Sequence, residues 1–232
     1  MMNKRKKIIT AAVVALVITM CTCGAYPAAA SDGIYSCQSS KKNIALTFDD
    51  GPHPVHTPEI LDILAEYGIK ATFFVIGENA TWYGDLVKTE YESGHEIGNH
   101  TYSHHMNLKK LSYDGICAEI ENAENVIYEN IEYRTKLLRP PGGIYSDTLL
   151  RAAADNDYNI ICWSVDTRDW AHTPTDEIVK NVLSSVKEGD IILFHDYVSG
   201  ESPTPAALKQ IIPILLDEGY NFVTVSELMT MG

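Results

Sequence analysis

Seven short apolar runs that alternate with amphipathic helical patterns predict an α/β fold, with parallel strands joined by helical crossovers. Two further observations point the same way. Three of the four helical stretches open at Thr-Pro or Pro and two close at Gly, and the chemically distinctive polar residues fall directly after strand runs. On pattern alone the sheet is either closed as a barrel or left open. A chain of 232 residues with 45% apolar content suits one domain with a substantial core.

The elements follow in order. Residues 44–48 form the first strand run, and Thr57-Pro58 starts a helix that turns Ile60, Leu61, Leu64 and Tyr67 inward before Gly68 stops it. Strand runs at 71–76 and 96–97 come next. A second helix places Ile116, Ile120, Ala123 and Ile127 on one face. Strand runs at 137–138 and 159–165 precede a third helix, which begins at Thr173-Pro174 and buries Ile178, Val182 and Val186. After residues 191–194, a fourth helix begins near Pro203, carries Leu208, Ile211 and Leu215, and ends at Gly219. Residues 222–225 form the last strand run.

The first thirty residues stand outside that pattern. Lys4 to Lys7 form a basic start, residues 8–20 are apolar and uncharged, and Ala28-Ala29-Ala30 supplies small residues for signal peptidase. The apolar run is short for a bilayer span, so export with cleavage after Ala30 is expected, with an uncleaved anchor as the alternative. Residues 31–42 are polar and read as a linker, leaving 43–232 as the folded domain. Without the leader, 14 Lys and Arg face 31 acids, a net charge of −17. Such a surface repels phosphate backbones and argues against nucleic acid as a partner. Membrane contact is expected only if the leader is retained. Of five cysteines, Cys37, Cys117 and Cys162 lie beyond the leader; their odd number and spacing fit free or buried thiols rather than a disulfide or zinc knuckle.

The polar residues that follow strands carry the chemistry. Asp49-Asp50, His100 and His104, Arg139, Asp166 and Asp169, and His195-Asp196 all follow strand runs. In parallel α/β folds those strand ends share one rim, where active sites are built. His100 and His104 are four apart, so on a helix both rings would reach one ion. With Asp50 they make a three-ligand set that keeps a coordination position open. Asp49, the adjacent carboxylate, is then free to accept a proton, with Arg139 to keep it ionised and aimed. His195 ends an apolar run and becomes a general acid if Asp166 orients its ring.

These residues, taken together, resemble the NodB-homology polysaccharide deacetylases, carbohydrate esterase family 4. Thr47-Phe48-Asp49-Asp50, His100-Thr101-Tyr102-Ser103-His104, Arg139-Pro140-Pro141-Gly142-Gly143, Asp166-Thr167-Arg168-Asp169-Trp170 and Ile191-Ile192-Leu193-Phe194-His195-Asp196 match its five motifs in family order, over about residues 43 to 229. The resemblance implies an irregular (β/α) barrel of about seven parallel strands. It implies a divalent metal, zinc first and cobalt as the alternative, on Asp50, His100 and His104. It makes Asp49 the general base positioned by Arg139, and His195 the general acid tuned by Asp166. Pro141, Gly142, Trp170 and Leu193 would contact substrate. Many relatives carry an aromatic where this chain has Gly142, which keeps an N–H for the oxyanion but leaves out a cleft wall. The expected activity is N-deacetylation of a GlcNAc- or MurNAc-containing polysaccharide, peptidoglycan first, by a secreted or wall-associated monomer. The alternatives are deacetylation of chitin oligomers, O-deacetylation of xylan, and an inactive glycan-binding module.

Overall fold

The computed structural model describes residues 33–39 and 41–231. The expected export segment, residues 1–30, lies outside them. The chain runs β1 (Asn43–Asp49), α1 (His56–Tyr67), β2 (Thr72–Val75), α2 (Gly77–Trp82), α3 (Gly84–Glu92) and β3 (Glu96–Asn99). It continues with α4 (Tyr113–Ile131), β4 (Leu137–Leu138), α5 (Asp147–Asp155), β5 (Asn159–Ile160) and β6 (Val165–Asp166). Then come α6 (Thr175–Ser185), β7 (Ile191–His195), α7 (Thr204–Asp217), β8 (Asn221–Phe222) and α8 (Val225–Thr230).

All strand pairs are parallel, in the order β5-β4-β3-β2-β1-β7-β6, with β8 beside the start of β1. β1, an interior strand between β2 and β7, is buried along its whole length, as a parallel strand covered on both faces must be. Phe48 stacks on Phe73 at 5.0 Å and meets Phe194 at 5.9 Å, so three neighbouring strands share one aromatic layer. Helices α1, α6 and α7 pack side by side over it, burying Ile60, Leu64, Ile178, Val182, Leu208 and Ile211.

The ends of the order, β5 and β6, are four residues apart in sequence. The expected strand at 159–165 is therefore two short strands that pair with opposite edges, and the residues between them cross the seam of a strongly curled, irregular barrel. Part of the expected linker also belongs to this seam. Ile34 donates to the Ile160 carbonyl and accepts from the Cys162 N–H, and Cys37 donates to Gly189. Apolar Ile34 at an open sheet edge satisfies backbone groups that would otherwise face a gap.

Two end signals read differently in the structure. Thr57 does not cap α1; its hydroxyl donates to Asp196 instead, which ties α1 to the end of β7. Gly68 does close α1 in the left-handed conformation. At the other end of the chain, the strand expected at 222–225 stops at Phe222. Thr224 and Glu227 form a reciprocal capping box that starts α8. Among the described residues no helix is long and apolar enough to cross a membrane.

Candidate active site

Sheet register assembles the rim. Asp49 sits opposite His195 in the β1–β7 pairing, and Asp166 opposite Leu193 in β6–β7. The His100 N–H donates to Val75 and the Arg139 N–H to Asn99, so both residues leave their strands at the same level. These segments enclose a cleft of about 360 Å³ lined by Asp49, Asp50, His100, His104, Met106, Gly142, Trp163, Asp166, Trp170, Leu193 and His195.

Arg139 is fully buried and donates four hydrogen bonds from its fork. Nη1 donates to Asp49 Oδ1 at 2.7 Å and to Thr47 Oγ1 at 2.8 Å; Nε reaches the Ile161 carbonyl and Nη2 the Cys162 carbonyl. The guanidinium also lies 4.1 Å over the Phe74 ring. Its position is thus set from three directions, and Asp49 is left with Oδ2 turned toward His100 at 3.7 Å.

Asp50 Oδ1 lies 3.2 Å from His100 Nε2 and 3.1 Å from His104 Nε2. His100 Nδ1 is 2.7 Å from the Arg139 carbonyl, which can only accept, so Nδ1 carries the proton and Nε2 presents a lone pair. The buried Asp50 Oδ1 has no hydrogen-bond donor. A carboxylate oxygen and two imidazole nitrogens converging on one point without a proton donor is the donor set of a cation site, so the residues fit a divalent metal.

The two histidines reach this point by a route other than a helix. Residues 100–104 form a loop in which Thr101 and His104 have φ of 66° and 51°. Glu119 on α4 secures the loop by accepting from the Tyr102 and Ser103 N–H groups and the Ser103 hydroxyl. The four-residue spacing is retained, but loop geometry converges the rings.

The His195 ring requires a correction. Its Nδ1 pairs with Asp169 Oδ1 at 2.7 Å, not with Asp166. Asp169 is fully buried and also accepts from the His195 N–H, the Trp170 N–H and the Thr204 hydroxyl. Asp166 is spent locally on the Arg168 N–H and remains a half-buried cleft residue. Burial disfavours an imidazolium at His195, but the hydrogen bond and charge of Asp169, with Asp49 and Asp50 farther off, push its pKa up to about 9.

Of the expected substrate residues, Gly142, Trp170 and Leu193 line the cleft, whereas Pro141 is buried and is not among the lining residues. Gly142 has φ of 63°, and a Cβ there would meet the Met106 methyl at 3.3 Å. Met106 therefore occupies part of the side left open by the missing aromatic. Trp163 and Met106 had no chemical signal in the sequence, since an aromatic or a methionine near a strand reads as core. Thr204 carries no signal beyond being polar, and Asp169 stands beside Asp166 among the residues that follow strand runs, where spacing does not choose between them.

A three-ligand cation set flanked by a carboxylate base and an imidazole acid, at the strand ends of an α/β barrel, has the parts of a metal-assisted hydrolase. Residues 37–161 match the polysaccharide deacetylase family. The chain is 42% identical over 199 residues to a peptidoglycan-N-acetylglucosamine deacetylase of Bacillus cereus, covering 82% of this chain and 90% of that one. It superposes on a solved peptidoglycan N-acetylglucosamine deacetylase with a TM-score of 0.82 at 39% identity, over 85% of this chain and 92% of the other. A Clostridium thermocellum family 4 acetyl xylan esterase, solved with a cobalt ion, gives a TM-score of 0.76 at 37% identity, over 82% and 91%. The chain belongs to the polysaccharide deacetylase family.

Proposed function

We propose that this protein is a metal-dependent deacetylase that hydrolyses N-acetyl groups of GlcNAc- or MurNAc-containing polysaccharide, with peptidoglycan as the polymer. One observation carries the reading. Asp49 held by Arg139 and His195 held by Asp169 flank the Asp50–His100–His104 set within one cleft. The peptidoglycan deacetylases among its relatives support the choice of polymer.

Asp50, His100 and His104 would hold the ion, zinc by the nature of the donor set and cobalt as the alternative. When bound, that ion polarises the acetyl carbonyl and acidifies water. The protein's own groups do the rest. Asp49 Oδ2, aimed by the guanidinium bound to its other oxygen, takes the proton from the attacking water. His195 Nε2 delivers a proton to the departing amine, while Asp169 holds Nδ1 and stabilises the imidazolium. The Gly142 N–H is the backbone donor for the oxyanion, and Trp170 and Leu193 close around the acetyl methyl. The basic and apolar first thirty residues support a site of action outside the cell, where the protein would act secreted or wall-associated, as a monomer.

The test is acetate release by the zinc- or cobalt-loaded protein from peptidoglycan fragments, chitin oligomers and acetylated xylan, with mass-spectrometric localisation of the free amine. Peptidoglycan fragments should give the highest kcat/KM, and chelation should abolish turnover. Faster turnover of acetylated xylan would make the protein an O-acetyl esterase. No acetate from any substrate would favour a glycan-binding role.

A further inference from the structure

Asp50 has a backbone φ of 74°, in the left-handed region that non-glycine residues seldom occupy. That conformation follows directly on the buried end of β1 and turns the Asp50 side chain toward the two imidazoles. Three hydrogen bonds grip the backbone here. The Asp196 N–H donates to the Asp49 carbonyl at 3.1 Å, and the Ile76 N–H donates to the Gly51 carbonyl at 3.0 Å. The third differs in kind: Asn79 Nδ2 donates to the Asp50 carbonyl at 2.7 Å. The first two are main-chain bonds that any sequence could supply. The third depends on one side chain, and because its partner can only accept, the amide orientation is determined.

Asn79 sits on α2, whose first turn also grips the other ligand loop. The Gly77 N–H donates to the Thr101 carbonyl and the Glu78 N–H to the Tyr102 carbonyl. Gly77 permits this close approach, since a Cβ there would fall 2.6 Å from the Tyr102 ring and 3.0 Å from the Ala123 backbone. One short helix therefore touches the loop that carries Asp50 and the loop that carries His100 and His104.

We infer that Asn79 is a positioning residue that holds the Asp50 backbone left-handed, so that Oδ1 meets His100 and His104, and that it thereby sets metal affinity. The inference rests on the metal-site reading given above. Asn79 touches neither the ion position nor the substrate cleft as lined here. Its loss should act on binding rather than on chemistry.

The experiment compares Asn79→Ala, Asn79→Asp and Glu78→Ala with the parent protein, each stripped of metal and titrated with cobalt and with zinc by calorimetry. Asn79→Asp keeps the shape and removes the donor; Glu78 is exposed and serves as the neighbour control. Both Asn79 variants should bind roughly 10- to 100-fold more weakly, in the range expected when a supporting hydrogen bond behind a ligand is removed. Their thermal midpoints without metal should stay close to the parent's. Deacetylase turnover should recover at saturating metal, which a general loss of structure would not allow. Glu78→Ala should bind as the parent does. Unchanged affinity in both Asn79 variants would overturn the inference. So would failure of either to fold without metal, which would make Asn79 a determinant of the fold. A parent protein that binds no cation would instead refute the metal site itself.

Discussion

The two sides of the cleft are built on different principles. On the base side, β1, β3 and β4 are neighbours or near neighbours in one sheet, and Arg139, Asp49 and His100 are aligned by main-chain pairing and one buried guanidinium. On the acid side, His195 ends a strand, but its partner Asp169 comes from the turn after β6, where Arg168 and His172 adopt left-handed φ. Sheet register places the first set. A short irregular turn places the second, so its geometry depends on a few local side-chain bonds.

The sharpest way to break the base side is Arg139→Ala. The pair it forms with Asp49 is almost wholly removed from water, and its other donors serve Thr47, Ile161 and Cys162. Removing one partner of such a pair should cost about 3–5 kcal/mol in denaturant unfolding, besides loss of turnover. A loss below about 1 kcal/mol would mean that the seam does not depend on this cation.

Asp49→Asn separates roles that adjacent carboxylates could share. Metal stoichiometry should stay near that of the parent protein while kcat falls by on the order of 10²- to 10⁴-fold, as for a lost general base. His104→Ala should lose bound metal and activity together. If Asp49→Asn also releases metal, the two aspartates have been distinguished wrongly.

The acid side is tested by setting Asp169→Asn against Asp166→Asn. As a general acid, His195 is active while protonated, so the alkaline limb of kcat/KM reports its loss of a proton. Its pKa is raised to about 9 from an ordinary 6.5, chiefly through Asp169 acting against burial, although a bound dication would lower it. Asp169→Asn should therefore move the alkaline limb toward lower pH by on the order of one unit, and Asp166→Asn should move it less. The stability sign is fixed by the same shift. The His195–Asp169 pair stabilises fully below about pH 6.5, and this contribution disappears as pH rises through about 9. An equal response of the two variants would return Asp166 to the role of partner.

The smallest effect is expected at Gly142. Its left-handed φ penalises any side chain, so Gly142→Ala should lower kcat/KM by several-fold, about 1 kcal/mol, on chitin oligomers and peptidoglycan fragments alike. A fall confined to peptidoglycan fragments would show that the open side, rather than the backbone, sets specificity.

What the sequence makes legible follows the same division. Parallel order, the long helices and the Asp50–His100–His104 set can be read from apolar runs and from polar residues that follow them. Side chains facing each other across a register are not spelled out in this way, and neither are turns. Asp166 and Asp169 both follow β6, and only three-dimensional placement shows that the second is buried under His195. Residues 159–165 read as one strand because composition records burial, and Ile161 and Cys162 on the seam crossing are as buried as strand residues. Thr224 and Glu227, by contrast, were a readable capping box that the apolar run at 222–225 obscured.

Arg139 has a bearing on how this enzyme could evolve. The same guanidinium that aims the base also donates to carbonyls at Ile161 and Cys162, where the sheet's two edges meet. Drift at Asp49 would strand a cation inside the barrel, so losing the base is not neutral for the fold. A lineage that gave up catalysis by losing this acceptor would pass through unstable intermediates unless it replaced Asp49 and Arg139 nearly together. Selection for a folded barrel therefore guards an acceptor for Arg139 at position 49, though not the base itself, even in the absence of selection for turnover.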